Sequence, residues 1–568
     1  MRLRILLACA AALLLGVQGC QRNPETAEGA RFANMGALSG TVDAPTPFQA
    51  ARVHAVNLTS GVRYIVFTSG GRYRVGNLFP GTYDVSVEKN GFQADARQVR
   101  VNRDETATLD FSLRAVPSRA VPQAGTMGPA RTWDRTGVEL LAFDQLYPPE
   151  PARDLLTRHC LYCHGLNSLS TRPRSQAAWD AAIDVMSDPR SQRGVRIPAG
   201  SLPAADRQRI VAYLATHFGP GSAKRAVRAD EEVPLDEAVL SRAMFVEYPL
   251  PLDPKLDQKN TARSVYAPSF DRQGNVWYTD TAAPHRVGRL DPRTGAATDY
   301  VLPDPEALPH GLTIDAQGIV WWVENNAFQL GRLDPTTGSI VRYPIDPRGE
   351  VPRGQGHTPT LDSRQNVWFT AVIGNRIGTW NRQTERMTLW APPTLDSWPY
   401  GIVVDQRDHV WFAESAKCKV ARFDPLTETF AEYVPPTQPC VLARIALDSR
   451  GMIWYGVASA AKLGKLDPTT GKMVEYDFPT RLSEPYDVAA DPEDNIWTTD
   501  GGSEGGLVRF DERTGRFSYY PNPHAARISK IEITRDGAVW YPFRGARDGG
   551  VGVLYPDVAR MTTLGAYR

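Results

Sequence analysis

Asp362-Ser363-Arg364-Gln365-Asn366-Val367-Trp368-Phe369 reads as a polar turn running into a strand, with a β-branched residue and two aromatics after it. The Asp-to-Trp spacing recurs from Asp271 to Trp277, Asp315 to Trp321, Asp405 to Trp411, Asp448 to Trp454 and Asp491 to Trp497. A seventh copy has Thr534 in place of the acid, ahead of Trp540. Successive tryptophans are 44, 47, 43, 43, 43 and 43 residues apart. A second turn, Leu290-Asp291-Pro292-Arg293-Thr294-Gly295, recurs at Asp334–Gly338, Asp467–Gly471 and Asp511–Gly515. Seven such units, each with short alternating strands, predict a seven-bladed β-propeller over 244–568. One four-stranded sheet cannot bury both of its faces alone; stacked radially, each blade offers its Trp to the gap beside it. Phe245-Val246-Glu247-Tyr248-Pro249 reads as an outer strand that arrives before the first blade and pairs with the last, closing the ring.

Eleven residues before each Trp stand Tyr266, His310, His357, Tyr400, Ala443, Tyr486 and Ser529. Equivalent positions of a repeat form a ring. If that ring faces the channel, its aromatic and imidazole groups make a polar pocket for a small molecule; if not, they serve as hydrogen bonds between blades. His310, His357 and Tyr400 are the candidate catalytic residues.

The propeller resembles the virginiamycin B lyases in units such as Asn366-Val367-Trp368-Phe369-Thr370 and Asn375-Arg376-Ile377-Gly378. In that family two consecutive blades carry His at the ring position and the next carries Tyr in Pro-Tyr-Gly. His310, His357 and Pro399-Tyr400-Gly401 keep that order. The resemblance implies opening of a lactone ester by elimination, with a His as base and a magnesium ion held by glutamates. The chain departs at the metal. Gln355 stands where the glutamate before the second His is expected, and Ala371-Val372 replaces the one after Trp368-Phe369. Glu324 and Glu414 occur in the flanking blades instead. The divalent-metal set is thus incomplete.

Upstream, 149–222 reads as helical and holds Cys160-Leu161-Tyr162-Cys163-His164. In C-x-x-C-H two thiols one helical turn apart reach the two vinyl groups of a porphyrin edge, and the following His lies beneath the iron. One covalent haem c on Cys160, Cys163 and His164 is expected. Trp179, Ile183 and Met186 share a helical face, and Ala204–Phe218 reads as a terminal helix stopped by Gly219-Pro220. This arrangement resembles short cytochrome c domains and implies Met186 as the second axial ligand, with His217 or no side chain on the iron as alternatives.

Residues 37–115 alternate with period two and turn at Gly70-Gly71, Pro80-Gly81 and Asn90-Gly91, which predicts a small antiparallel β-sandwich. Gly40-Thr41-Val42, Leu78-Phe79-Pro80-Gly81-Thr82-Tyr83 and Phe111-Ser112-Leu113 resemble the carboxypeptidase regulatory-like domain, implying a stalk or binding module. Residues 116–148, rich in Pro, Gly and Ala, read as a linker. Residues 1–20 read as a signal: Arg2 and Arg4 precede an apolar run ending in Val17-Gln18-Gly19-Cys20. That ending resembles a bacterial lipobox, implying lipid on Cys20 and attachment to the membrane, the outer one by the family habit after Gln21. No other segment is apolar enough to cross a bilayer.

The six cysteines divide without remainder. Cys9 leaves with the signal, Cys20 takes lipid, Cys160 and Cys163 belong to the haem motif, and Cys418 and Cys440 form a disulfide or remain two thiols in an oxidising compartment. With 64 basic and 63 acidic residues there is no basic field, which argues against nucleic acid as partner. The expected molecule is multidomain and mainly β: sandwich, α-helical cytochrome c domain, propeller. Its expected function is electron transfer with a periplasmic donor or acceptor, the propeller binding a substrate or partner. The alternatives are a carbon–oxygen lyase opening a cyclic ester, or a binding module presenting the cytochrome.

Overall fold

The computed structural model describes residues 32–89, 91–116, 139–161, 169–187, 202–227, 233–252, 255, 263–351, 355–480, 483–501, 506–523, 528–544 and 549–567. Six blades are antiparallel four-stranded sheets whose strands lie in chain order, from Val265–Phe270 at the inner edge of blade one to Arg516–Pro521 at the outer edge of blade six. Blade seven takes Glu532–Ile533, Val539–Arg544 and Gly549–Tyr555 from the end of the chain and Met244–Pro249 from before blade one. Val246 faces Val553 across that closure, so the expected ring closure forms.

The Asp-to-Trp spacing has a local cause. In each of the first six blades one carboxylate oxygen accepts the indole N–H, as from Trp277 to Asp271 at 2.9 Å and from Trp454 to Asp448 at 3.1 Å. The other oxygen accepts backbone N–H groups within the turn, as from Gln273 and Asn275 to Asp271. One side chain thus shapes the turn and pins the Trp that fills the gap between blades. In blade seven Thr534 stands in place of the acid, and the Trp540 indole nitrogen has no hydrogen-bond partner among the described residues.

The sandwich packs Arg63–Phe67, Arg52–Asn57, Gly81–Glu88 and Arg97–Val101 in one sheet against Arg72–Leu78 and Gly36–Asp43 in the other. It is not wholly antiparallel. Thr106–Thr108 and Phe111–Ser112 run parallel to Gly36–Asp43, because the chain has crossed from the opposite sheet before it reaches them. The sandwich is also not a separate bead. Met244–Pro249, paired on one edge with blade seven, pairs on its other edge with Arg63–Phe67, Val246 opposite Tyr64. Blade seven and one sheet of the sandwich therefore form a single eight-stranded sheet. A common apolar cluster joins Val53, Tyr83 and Val85 of the sandwich to Trp540, Val553 and Tyr278 of the propeller.

The intervening segment is helical, with Pro151–Leu156 running into a π-helical turn at Thr157–Leu161, then Gln176–Ser187 and Ala204–His217. Part of the expected linker belongs to it. Glu139–Leu141 pairs parallel with Arg225–Val227, and Phe143, Leu146 and Tyr147 enter the same apolar core as Trp179, Ile183, Tyr213 and Leu214. Proline and alanine in the linker signalled an open chain; the apolar Leu141, Phe143 and Leu146 close it down. Burial among these side chains pushes the Tyr147 hydroxyl well above the usual phenol range. Among the described residues no helix is long and apolar enough to cross a membrane.

Candidate functional site

Each of the first six blades breaks register on its inner strand at the ring position. The ladder skips from Val265 to Pro268, Pro309 to Leu312, Gly356 to Pro359, Pro399 to Ile402, Leu442 to Ile445 and Pro485 to Val488. The skipped pair always holds the ring residue and the one after it. A bulge turns a side chain out of the pleat without ending the strand. Here it aims the ring residues at one another: the Tyr266 and His310 rings are 4.0 Å apart, His310 and His357 4.2 Å, His357 and Tyr400 3.7 Å. The Tyr400 and Tyr486 hydroxyls meet at 2.5 Å. Five of the seven ring positions thus form one continuous polar aromatic array at the channel. Ala443 and Ser529 carry no ring, and the Ser529 hydroxyl instead donates to the Tyr266 carbonyl at 2.6 Å.

His310 Nδ1 lies 3.2 Å from the His357 carbonyl oxygen. A carbonyl only accepts, so Nδ1 carries the proton and Nε2 of the neutral ring is the lone-pair nitrogen. His357 Nδ1 meets the Thr358 hydroxyl at 2.8 Å, and that hydroxyl accepts from Arg444 Nη1 at 3.2 Å. A hydroxyl oxygen accepts twice, so this contact fits either tautomer of His357, whose Nε2 has no hydrogen-bond partner among the described residues. Burial, reinforced by the Arg444 charge, holds His310 well below the usual imidazole range. Burial, then His310 and Arg444, do the same to His357. Both rings are neutral at pH 7.

Arg444 and Asp487 follow the ring position in blades five and six, where the other blades have Ala267, Gly311, Thr358, Gly401 and Lys530. Neither stood out in the sequence; the signal was a run of charged residues at this position in blades five to seven, where the first four blades have Ala, Gly, Thr and Gly. Glu324 is fully buried and gripped by Arg342 through Nε at 2.9 Å and Nη2 at 2.6 Å. Glu414, at the equivalent place two blades on, has no cation of its own: Lys419 is taken by Glu432 at 2.5 Å. Neither oxygen of Glu414 has a hydrogen-bond donor in bonding geometry, since the nearby Ser397 hydroxyl donates to Asn375 at 3.0 Å, and burial raises its carboxyl to about 7.

In the helical segment Cys160 is buried among Leu156, Leu161, Trp179, Ile183, Tyr213 and Leu214. Cys163 and His164 lie outside the described residues, as does Cys20. Met186, near the end of its helix, is half-buried, and His217 is held on the surface by Glu150 at 2.9 Å. Cys418 and Cys440 are joined by a disulfide, Cα to Cα 5.1 Å, between blade four and the start of blade five.

The closed ring of blades with buried imidazoles at one end of its channel defines the class: a seven-bladed β-propeller built around a polar aromatic ring. Residues 254–510 and 352–554 match the virginiamycin B lyase family, together more than half of the chain, and the chain belongs to that family. Residues 37–114 match the carboxypeptidase regulatory-like domain. Among solved structures, one described as a streptogramin B lyase is 24% identical, covering 55% of this chain and 97% of that one, with a TM-score of 0.49. The selenomethionine-substituted virginiamycin B lyase from Staphylococcus aureus is 24% identical over 55% and 99%, with a TM-score of 0.48. The WD40 propeller domain of Doa1 is 12% identical over 53% and 95%, with a TM-score of 0.41. No curated protein matches the chain.

Proposed function

We propose that the propeller is a carbon–oxygen lyase that opens a cyclic ester by elimination, with His310 as base. The observation that carries this is the His310 tautomer: Nδ1 is tied to the His357 carbonyl, so a neutral ring presents a bare Nε2. In the proposed step Nε2 takes the proton α to a carbonyl. The C–H electron pair becomes a C=C bond, the C–O bond breaks, and the ester leaves as a carboxylate. The Tyr400 hydroxyl, and His357 in its Nε2–H tautomer, are the donors beside it.

The residues present do not complete the glutamate set that the family uses for a divalent ion. Gln355 and Ala371 replace the expected glutamates, Glu324 is spent on Arg342, and among the described residues no group of three His, Cys, Asp or Glu could hold a metal. The proposed step is therefore metal-independent. The test is incubation with a streptogramin B depsipeptide such as quinupristin, with and without a chelator. Expected is an opened product of unchanged mass with a new alkene, insensitive to chelation and lost in His310→Ala. A product heavier by one water, or full turnover by that variant, would overturn the assignment.

A second reading concerns the helical module, and the buried Cys160 against Trp179 favours it. We propose that Cys160 and Cys163 would hold a haem covalently and that His164 and Met186 would ligate its iron, in a lipoprotein anchored through Cys20 to the outer membrane and facing the periplasm. Bound haem supplies one-electron chemistry; the chain supplies an apolar wall that excludes water from one side of the thiol. Expression with cytochrome maturation machinery should give a c-type spectrum and a polypeptide heavier by one haem. A bare polypeptide under those conditions would remove the electron-transfer role.

A further inference from the structure

Blade seven has only Ser529 at its ring position; what it lays over Tyr266 is Arg544, the last residue of Val539–Arg544. The guanidinium carbon stands 4.1 Å from the centroid of the Tyr266 ring, whose other neighbour, His310, lies 4.0 Å away. Arg544 Nε donates to the Val265 carbonyl at 3.1 Å, just before the bulge that turns Tyr266 inward. An aromatic face beneath it and one tied nitrogen leave the guanidinium few orientations.

Charge is left over at this place. Arg444, the other guanidinium near His310, has Asp487 beside it at 3.7 Å, both buried. Arg544 has no ion pair among the described residues, and its two terminal nitrogens have no acceptor there. Asp280, the acid opposite Val265 in the ladder, is spent: Arg263 takes it at 2.5 Å and Arg286 at 3.4 Å. The Arg544 side chain is half-buried, so salt and water screen its charge less than on an open surface. His310 registers it: burial comes first in holding that imidazole low, and Arg444 and then Arg544 add to it.

Elimination puts charge on the leaving carboxyl group. As the C–O bond breaks, its electron pair stays on that oxygen, and a neutral ester becomes an anion with two equivalent oxygens. A planar guanidinium with free N–H groups matches those two oxygens and binds them more strongly as the charge grows, which lowers the barrier.

We propose that Arg544 is the carboxylate-binding residue of the ring, holding the ester carboxyl group before the C–O bond breaks and the carboxylate afterwards. Its part in catalysis rests on the elimination reading; its affinity for an anion is measurable without turnover.

The experiment has a binding arm and a kinetic arm, both on the full-length protein. Phenylacetate and phenylacetamide, which share an aryl body and differ in charge, are titrated by calorimetry into the wild type and into Arg544→Gln. Expected is phenylacetate binding at one site per chain, at least tenfold tighter than the amide, with that preference lost in Arg544→Gln. Equal affinity of the wild type for the two probes, or an unchanged preference in the variant, would overturn the proposal. In the kinetic arm Arg544→Gln should open quinupristin with kcat reduced about 100-fold and KM changed far less. An unchanged kcat beside an active wild type would overturn the proposal and leave the elimination reading standing. A wild type that opens no ester yet prefers phenylacetate through Arg544 would remove the elimination and keep the anion site. The wild-type comparison of the two probes stands even if the variant does not fold.

Discussion

The indole of Trp497 donates to Asp491 at 2.9 Å, and the indole of Trp540, one blade on, where Thr534 replaces the acid, has no acceptor among the described residues. The two blades are an internal comparison of the same motif with and without its anchor. Asp491 also accepts from the backbone of Glu493 and Asn495, so Asp491→Ala strands several donors at once. It should cost about 2 kcal/mol or more, whereas Thr534→Ala should cost clearly less. Urea unfolding followed by Trp fluorescence measures both, and equal losses would mean that the acid merely decorates the turn.

The ring histidines make stability depend on pH. Unfolded imidazole titrates near 6.5, and both His310 and His357 are held well below that, chiefly by burial. As pH falls through about 6.5 the unfolded chain takes up protons that the folded ring refuses, so stability is full above that value and declines below it. Urea midpoints between pH 8 and pH 5 should fall, and His357→Gln should flatten the decline. A midpoint that rises on acidification would contradict the neutral ring.

Glu414 works with the opposite sign. Its folded carboxyl is raised to about 7 from an ordinary 4.5, so its contribution is complete at low pH and is lost as pH rises from 4.5 through 7. Glu414→Gln should therefore melt higher than the parent at pH 8, with the difference closing toward pH 4.5. A variant that melts lower at pH 8 would mean that the ionised carboxylate has a partner it needs.

Val246 lies between Tyr64 of the sandwich and Val553 of blade seven, in a strand with ladders on both edges. Val246→Pro removes an N–H from that strand and should cost roughly 3 kcal/mol. Hydrogen exchange should quicken together at 63–66 and at 551–554. Acceleration on one side only would show that the joint is not cooperative.

The blades were legible because a Trp and its acid recur at nearly constant spacing, and packing between blades tolerates little else there. The ring was legible as a column of positions, yet its orientation was not, since the bulge that turns His310 and His357 inward leaves no residue signature of its own. Gly311 shows why: a Cβ there would sit 2.5 Å from the His357 carbonyl, a closeness set by a neighbouring blade. Arg444 and Glu414 escaped notice for the same reason, because what surrounds each of them is set by residues far away in sequence. The fusion of sandwich to blade seven was hidden as well. Phe245–Pro249 could be seen to need one neighbour, and nothing in its residues announced a second.

That shared strand has a cost for any attempt to rearrange the molecule. Side chains alternate along it, so slipping it by a single position would turn the faces of Phe245 and Val246 inside out in both of the bodies it joins. The sandwich cannot be exchanged like a handle. Whatever replaced it would have to bring an edge of matching twist and length, or leave the toroid with an open seam.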